Sequence, residues 1–107
     1  METTHAEYSV GQIIHHKLFG YRGVIVDVDP HYRGEPDVYG KSDSHLPPKD
    51  KPWYHILVDN EEVETYVCEV NLEEGNDELP VDHPLLDAYF EFAEFREGKF
   101  QPKFALN

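Results

Sequence analysis

YRGVIVDVDP, Tyr21–Pro30, is the stretch on which the reading of the whole chain turns. Val24, Val26 and Val28 alternate on one face of a β-branched run that Asp27, Asp29 and Pro30 close. That is the pattern of a central strand ending in a fixed turn. Gly23, close to its start, marks a bulge or a close backbone approach, so this strand is expected to bend. Upstream, Val10–His16 reads as a first strand with Ile14 inward, joined to the second by Lys17–Gly20, and Met1–Ser9 reads as a loose terminus.

Downstream, Pro30–Pro52 changes character, with five prolines and few apolar anchors. It reads as a long loop, and loops of this length are either contact surfaces or mobile excursions. Trp53–Val58, WYHILV, follows as a third strand whose faces, Trp53, His55 and Leu57 against Tyr54, Ile56 and Val58, are both substantially apolar. Such a strand is covered on both sides. Asp59–Glu62 is a tight acidic turn leading to a fourth strand, Val63–Val70, so the two strands form a hairpin. Tyr66, Cys68 and Val70 share one face of it, and Thr65, Val67 and Glu69 the other. Asn71–Pro80, with its acidic run, reads as a solvated turn region.

From Pro84 to about Glu97, Leu85, Leu86, Tyr89, Phe90 and Ala93 recur at three- and four-residue spacing. This predicts an amphipathic helix capped by Asp82 and ended by Gly98. The aromatic and acidic alternation of YFEFAEF is also that of a strand. Phe92, Phe95, Phe100 and Phe104 exceed what one docking stripe needs, and the surplus suits either the end of a barrel or an interface between copies of the chain. The expectation is one mostly β domain over residues 1–107, a barrel over about 9–72 and a helix with tail over 84–107, of a length that can bury one core.

Charge narrows the function. The chain carries 22 acidic against 9 basic residues, a formal charge of -13. Non-specific DNA affinity comes mostly from Lys and Arg on phosphates, so this balance argues against a polyanion ligand. It suits solubility and protein partners with basic patches. Cys68 is the lone cysteine and cannot form an internal disulfide, Met1–Tyr8 lacks the basic flank and apolar core of a signal peptide, and no stretch is apolar enough to span a membrane. A soluble cytoplasmic protein is expected.

No catalytic constellation emerges. The 7 histidines lack metal-ligand spacing, His15 and His16 pointing to opposite strand faces. His55 reads as a histidine bonded to backbone, and His83, before Pro84, as one that fixes a turn. Cys68 lies mid-strand among apolar residues, where a thiol is buried and unreactive. Asp27 and Asp29 share a face that suits acid–base chemistry or a cation, but a strand end with Asp29 setting the turn explains them as well. No enzyme, metal or other cofactor is expected. Tyr21, Tyr32, Trp53 and Tyr54 flank the strand ends beside Arg22 and Arg33, a composition typical of binding hot spots and equally of a plugged barrel end.

Gly11-Gln12, His16, Tyr21 with Gly23-Val24-Ile25, Asp27, Asp29-Pro30, Pro52-Trp53-Tyr54-His55, Tyr66-Val67, Glu69, Asn71-Leu72 and His83-Pro84 together resemble the heat shock protein HspQ family, also called the YccV-like or hemimethylated DNA-binding domain. The resemblance covers roughly residues 8–85. It implies a small SH3-like β-barrel and two roles. One is in the stress response, as a partner of an AAA+ protease of the Lon type that promotes degradation of substrates such as the replication initiator or denatured proteins. The other is binding of hemimethylated DNA at the replication origin. The charge places the protease role first, because Lys17, Arg22, Arg33, Lys41, Lys49 and Lys51 are the only cations near the second strand and the long loop. Partner binding is expected at Tyr21, Arg22, Asp27, Asp29, Tyr32, Trp53, Tyr54 and His55.

Overall fold

The structure, a computed structural model, describes residues 6–34, 47–76, 78–89, 94–96 and 99–101. Five strands form one antiparallel sheet: β1 (Ile13–His16), β2 (Arg22–Asp29), β3 (Trp53–Val58), β4 (Glu64–Cys68) and, after a single 3-10 turn at Glu69–Asn71, β5 (Leu72–Glu74). Their spatial order is β4-β3-β2-β1-β5. The sheet therefore ends in two edges, and the expected barrel is not closed. β5 is only three residues long and pairs with β1, so no ladder joins it to β4. In place of that ladder, the Tyr21 hydroxyl and Thr65 Oγ1 share a hydrogen bond of 2.7 Å between the start of β2 and the middle of β4.

Residues 72–74, expected within a turn, form a strand because Leu72 is buried while Glu73 reaches back to His15 Nδ1 at 2.7 Å. The amino-terminal residues next to β1 are docked rather than loose. The Tyr8 ring meets Tyr54 edge to face at 5.8 Å between centroids, and its hydroxyl donates to the Leu72 carbonyl.

Both faces of the sheet are covered, as the two apolar faces of WYHILV require. Ile14, Ile25, Tyr54, Ile56, Val67 and Leu72 pack on one side. Ile13, Val24, Val26 and Leu57 pack on the other, beneath Val81 and Leu86. Gly23 lies where a Cβ would stand 2.7 Å from the Leu57 carbonyl oxygen, the close approach its position suggests. The bend itself falls later. Ile25 pairs with Ile56 but Asp27 pairs with His55, so Val26 is an extra residue in β2.

This bulge decides the site. In a regular ladder Asp27 would stand opposite Tyr54, on the core side. The inserted residue reverses the alternation, placing Asp27 and Asp29 with His55 and Trp53, while Val28 packs with the Tyr54 cluster and not beside Val24 and Val26.

Residues 76–83 cross one end of the sheet, tied down mainly by Arg22. Its guanidinium donates to Asp59 Oδ2 at 2.9 Å and to the carbonyls of Asn76, Leu79 and Pro80 at 2.5–2.9 Å. His83 Nε2–H donates to the Val63 carbonyl, and His83 Nδ1 accepts the Leu85 N–H, so this histidine fixes the turn as expected. Among the described residues the long helix is not found. Helix α1 is a single turn, Leu86–Tyr89, and Glu94–Arg96 (β6) pairs with Lys99–Gln101 (β7), Phe95 opposite Phe100. The strand reading therefore holds at Glu94–Arg96, and residues 90–93, 97 and 98 of the expected helix lie outside the described residues. Phe90, Phe92 and Phe104, with residues 35–46 of the proline-rich loop, lie outside the described residues.

Candidate functional site

The neck of the long loop is fastened to the sheet on both sides. The Tyr32 N–H donates to the Lys49 carbonyl at 2.8 Å, the Arg33 N–H to the Tyr66 hydroxyl at 2.9 Å, and Trp53 Nε1–H to the Pro48 carbonyl at 3.0 Å. Asp29 anchors this arrangement. Its Oδ2 accepts from the Tyr66 hydroxyl at 2.7 Å and from His55 Nε2 at 3.2 Å. Burial pushes the Asp29 carboxyl upward, but the hydrogen bonds from Tyr66 and His55 outweigh it and hold the group below the usual carboxylate range. Burial and the same Asp29 bond push the Tyr66 phenol up to about 12. His55 is thus bonded to a carboxylate and not, as its surroundings suggest, to backbone.

Above this anchor the rings of Tyr32, Trp53 and Tyr66 touch in every pairing, with centroids 4.8, 5.2 and 5.8 Å apart. They form one wall of a cleft of about 400 Å³. The cleft occupies the seam where the sheet fails to close. Thr65 through Cys68 of β4 run along it, and His16, Phe19 and Tyr21 face them from the β1–β2 turn. That turn holds its shape because His16 Nδ1, on a side chain only 3% exposed, accepts the N–H groups of both Leu18 and Phe19 at 3.1 Å. Burial, with His15 adding to it, lowers the His16 pKa and keeps this acceptor neutral. The result is a rigid tip that carries two apolar side chains in solvent, Leu18 at 71% and Phe19 at 79% exposure. Exposed large apolar side chains beside an apolar cleft are the signature of an association site.

Of the residues expected to bind a partner, Tyr21, Tyr32 and Trp53 line this cleft. Asp29 and His55 lie under Tyr66, and Asp27 is exposed at the bulge, with its Oδ1 accepting the Val28 N–H. Tyr54 is fully buried, its hydroxyl donating to Glu69 Oε1, and Arg22 is held at the far end of β2. These two residues build the fold. Tyr66, Phe19 and Leu18 were not singled out from the sequence. An apolar pair in a turn between two strands was the available signal for the last two.

Asp27, Asp29 and His55 each bring one ligand atom within 4.8 Å of the others, and among the described residues they are the group able to hold a cation. Asp29 and His55 already satisfy each other there. Cys68 is buried and burial raises its pKa, so the thiol is poorly nucleophilic.

Arg22 stands apart from the cations of the loop neck. β2 separates Arg22 from Asp29 by roughly 20 Å of strand, so Arg22 cannot join the exposed Arg33, Lys49 and Lys51 at the loop neck. Lys41 lies outside the described residues. Among those residues no helix is long and apolar enough to cross a membrane. The family model described as hemimethylated DNA-binding protein YccV like matches residues 6–98, a span that holds the bulged strand, the loop neck and the whole cleft, and the chain belongs to this YccV-like family.

Proposed function

We propose that this protein is a non-enzymatic binding module that captures a protein partner in the seam cleft and so modulates proteolysis by an AAA+ protease of the Lon type. The observation that carries the reading is the β1–β2 tip, where a buried histidine holds the turn that exposes Leu18 and Phe19, with Phe19 at the lip of an aromatic-walled cleft. The Phe19 ring packs on His16 at 4.7 Å between centroids, yet most of it and of Leu18 stays in solvent beside the cleft, a contiguous apolar patch of the kind that marks association. A formal charge of -13 suits a partner with basic patches. The proteolytic context comes from the resemblance to the HspQ family, which the family match supports.

The test is the turnover of a substrate by the cognate Lon-type protease, with and without the purified protein. Faster turnover that Phe19→Ser abolishes is expected. A rate unchanged over a wide concentration range would overturn the reading.

A second reading, binding to hemimethylated DNA, is favoured by the description of the family itself. Here Arg33, Lys49 and Lys51 would meet phosphates beside the cleft. Gel shifts of hemimethylated and fully methylated duplexes at low and moderate salt decide it, and absence of retardation even at low salt removes it.

A further inference from the structure

We infer that β4 is an acceptor edge, on which an extended basic segment of a partner protein pairs as an additional strand with its apolar side chains lodged in the seam cleft. This rests on the reading of the cleft as a protein-binding site and specifies the form in which the partner binds.

The register shows which main-chain groups of β4 its pairing with β3 does not take. The Val58 N–H bonds to the Val63 carbonyl and the Glu69 N–H to the Pro52 carbonyl. Because hydrogen-bonded positions alternate in an antiparallel pair, Thr65 and Val67 turn their main-chain groups toward β3. Tyr66 turns its N–H and carbonyl away from it, off the edge, and so does the Cys68 N–H, while the Cys68 carbonyl opens the 3-10 turn. Among the described residues β3 is the only strand beside β4.

The cleft runs along that edge. Four consecutive residues, Thr65–Cys68, line it. Successive side chains of a strand point to opposite faces, so one cavity touches four in a row only where it meets the strand edge-on. Edge strands are commonly protected by lysine, proline or a bulge. Glu64–Cys68, ETYVC, has none of these, and its single charge, Glu64, is of the sign that a basic segment would meet.

Charge selects the occupant. Glu61 and Glu62 precede β4 and Glu64 opens it, all three exposed. An added strand with apolar residues at alternate positions would place them between Phe19 and the Trp53–Tyr66 wall. The intervening lysines or arginines would then face this acidic border. Main-chain bonds supply affinity in such pairing, and the alternate side chains supply selection.

The probe is an acetylated, amidated peptide of about seven residues that alternates lysine with valine around a central phenylalanine. It is compared with a copy N-methylated at alternate residues and with a copy carrying glutamate for lysine, by amide NMR on the full chain. Saturable binding of the first peptide is expected, with shifts and slowed exchange at the Tyr66 and Cys68 amides. N-methylation should weaken it at least about tenfold through lost main-chain bonds, and the glutamate peptide should not bind. Equal binding of the methylated copy, or no change at those two amides, would overturn strand addition. If Phe19→Ser still abolished the effect on proteolysis, the protein-binding reading would survive that result. Binding seen only after residues 35–46 are replaced by a Gly-Ser linker would make the chain's own loop the occupant and overturn the proposal.

Discussion

Tyr66 on β4 and Asp29 on β2 meet at 2.7 Å although β3 lies between their strands. The phenol reaches across His55, whose ring lies 4.6 Å from that of Tyr66 and whose Nε2 also donates to Asp29. Three strands are thereby locked at the end of the sheet from which the long loop leaves, and the Arg33 N–H completes the knot by donating to Tyr66. The bulge at Val26 is what turns Asp29 toward this partner.

Tyr66→Phe keeps the ring but removes the donor to Asp29 and the acceptor for Arg33. The expected loss is about 1–2 kcal/mol in urea denaturation at neutral pH. The pH dependence has a definite sign. The Asp29 pKa is depressed in the fold, so its stabilisation is present above the ordinary carboxyl value of 3.8 and is lost as pH falls through the lower folded value. The gap between wild type and variant should therefore narrow below about pH 4, and the Asp29 carboxyl followed by NMR should titrate higher in the variant. A constant gap down to pH 2 would show that the bond matters only through packing.

Arg22→Met removes the donors that hold residues 76–80 and Asp59 to the sheet. A loss of about 2–3 kcal/mol is expected, because Asp59 and three carbonyls lose charged donors together. Arg22→Lys should recover only part of it, since an ammonium cannot reproduce the guanidinium fork. Any DNA affinity measured by gel shift should be unchanged in Arg22→Met under conditions where the variant is folded. A selective loss of DNA binding would show that Arg22 leaves its carbonyl partners to meet phosphate.

The limits of sequence reasoning follow from the same residues. β2, β3 and β4 announce themselves through β-branched and aromatic runs, and the Gly23 approach through a glycine in a strand. The bulge has no comparable sign, since Val26 is an ordinary strand residue and only the register with His55 shows it to be extra. β5 hides because its outward residues are glutamates, which read as a solvated run until Leu72 is seen buried beside Ile14. Arg22 and Tyr54 carried the composition of a binding site but were taken up by backbone carbonyls and by the core. Tyr32 and Trp53, which the sequence places at the strand ends, stand in the aromatic wall. Its third member, Tyr66, needed the pairing of β3 with β4.

His16 makes the tip of the β1–β2 turn sensitive to acid. Its Nδ1 must be unprotonated to accept from Leu18 and Phe19, and burial lowers its pKa from the ordinary 6.5. The unfolded chain therefore takes up the proton first as pH falls. The stability tied to neutral His16 is complete above about pH 6.5 and declines from there down to the lower folded value, where it levels off. Urea denaturation between pH 7.5 and pH 5 should show this slope in the wild type and a shallower one in His16→Asn, whose side-chain oxygen accepts the same N–H groups without titrating in this range. Identical slopes would assign the acid sensitivity to other groups.

Two glycines separate steric from conformational demand. Gly20, at φ +75°, ends the tip with nothing within 4 Å of where a Cβ would lie, so Gly20→Ala meets only the left-handed backbone and should cost about 1 kcal/mol. At Gly23 a Cβ would stand 2.5 Å from Ile56 Cγ2 and 2.7 Å from the Leu57 carbonyl oxygen. The side chain can rotate away, but the carbonyl belongs to the β2–β3 ladder and cannot. Gly23→Ala should therefore be the more damaging, by roughly 2–3 kcal/mol or more, and should loosen the pairing on which the bulge and Asp29 depend. Urea denaturation of the two variants side by side measures the order. If Gly20→Ala proved the worse, the backbone of the Phe19 tip, and not the β2–β3 contact, would be the tighter constraint on this fold.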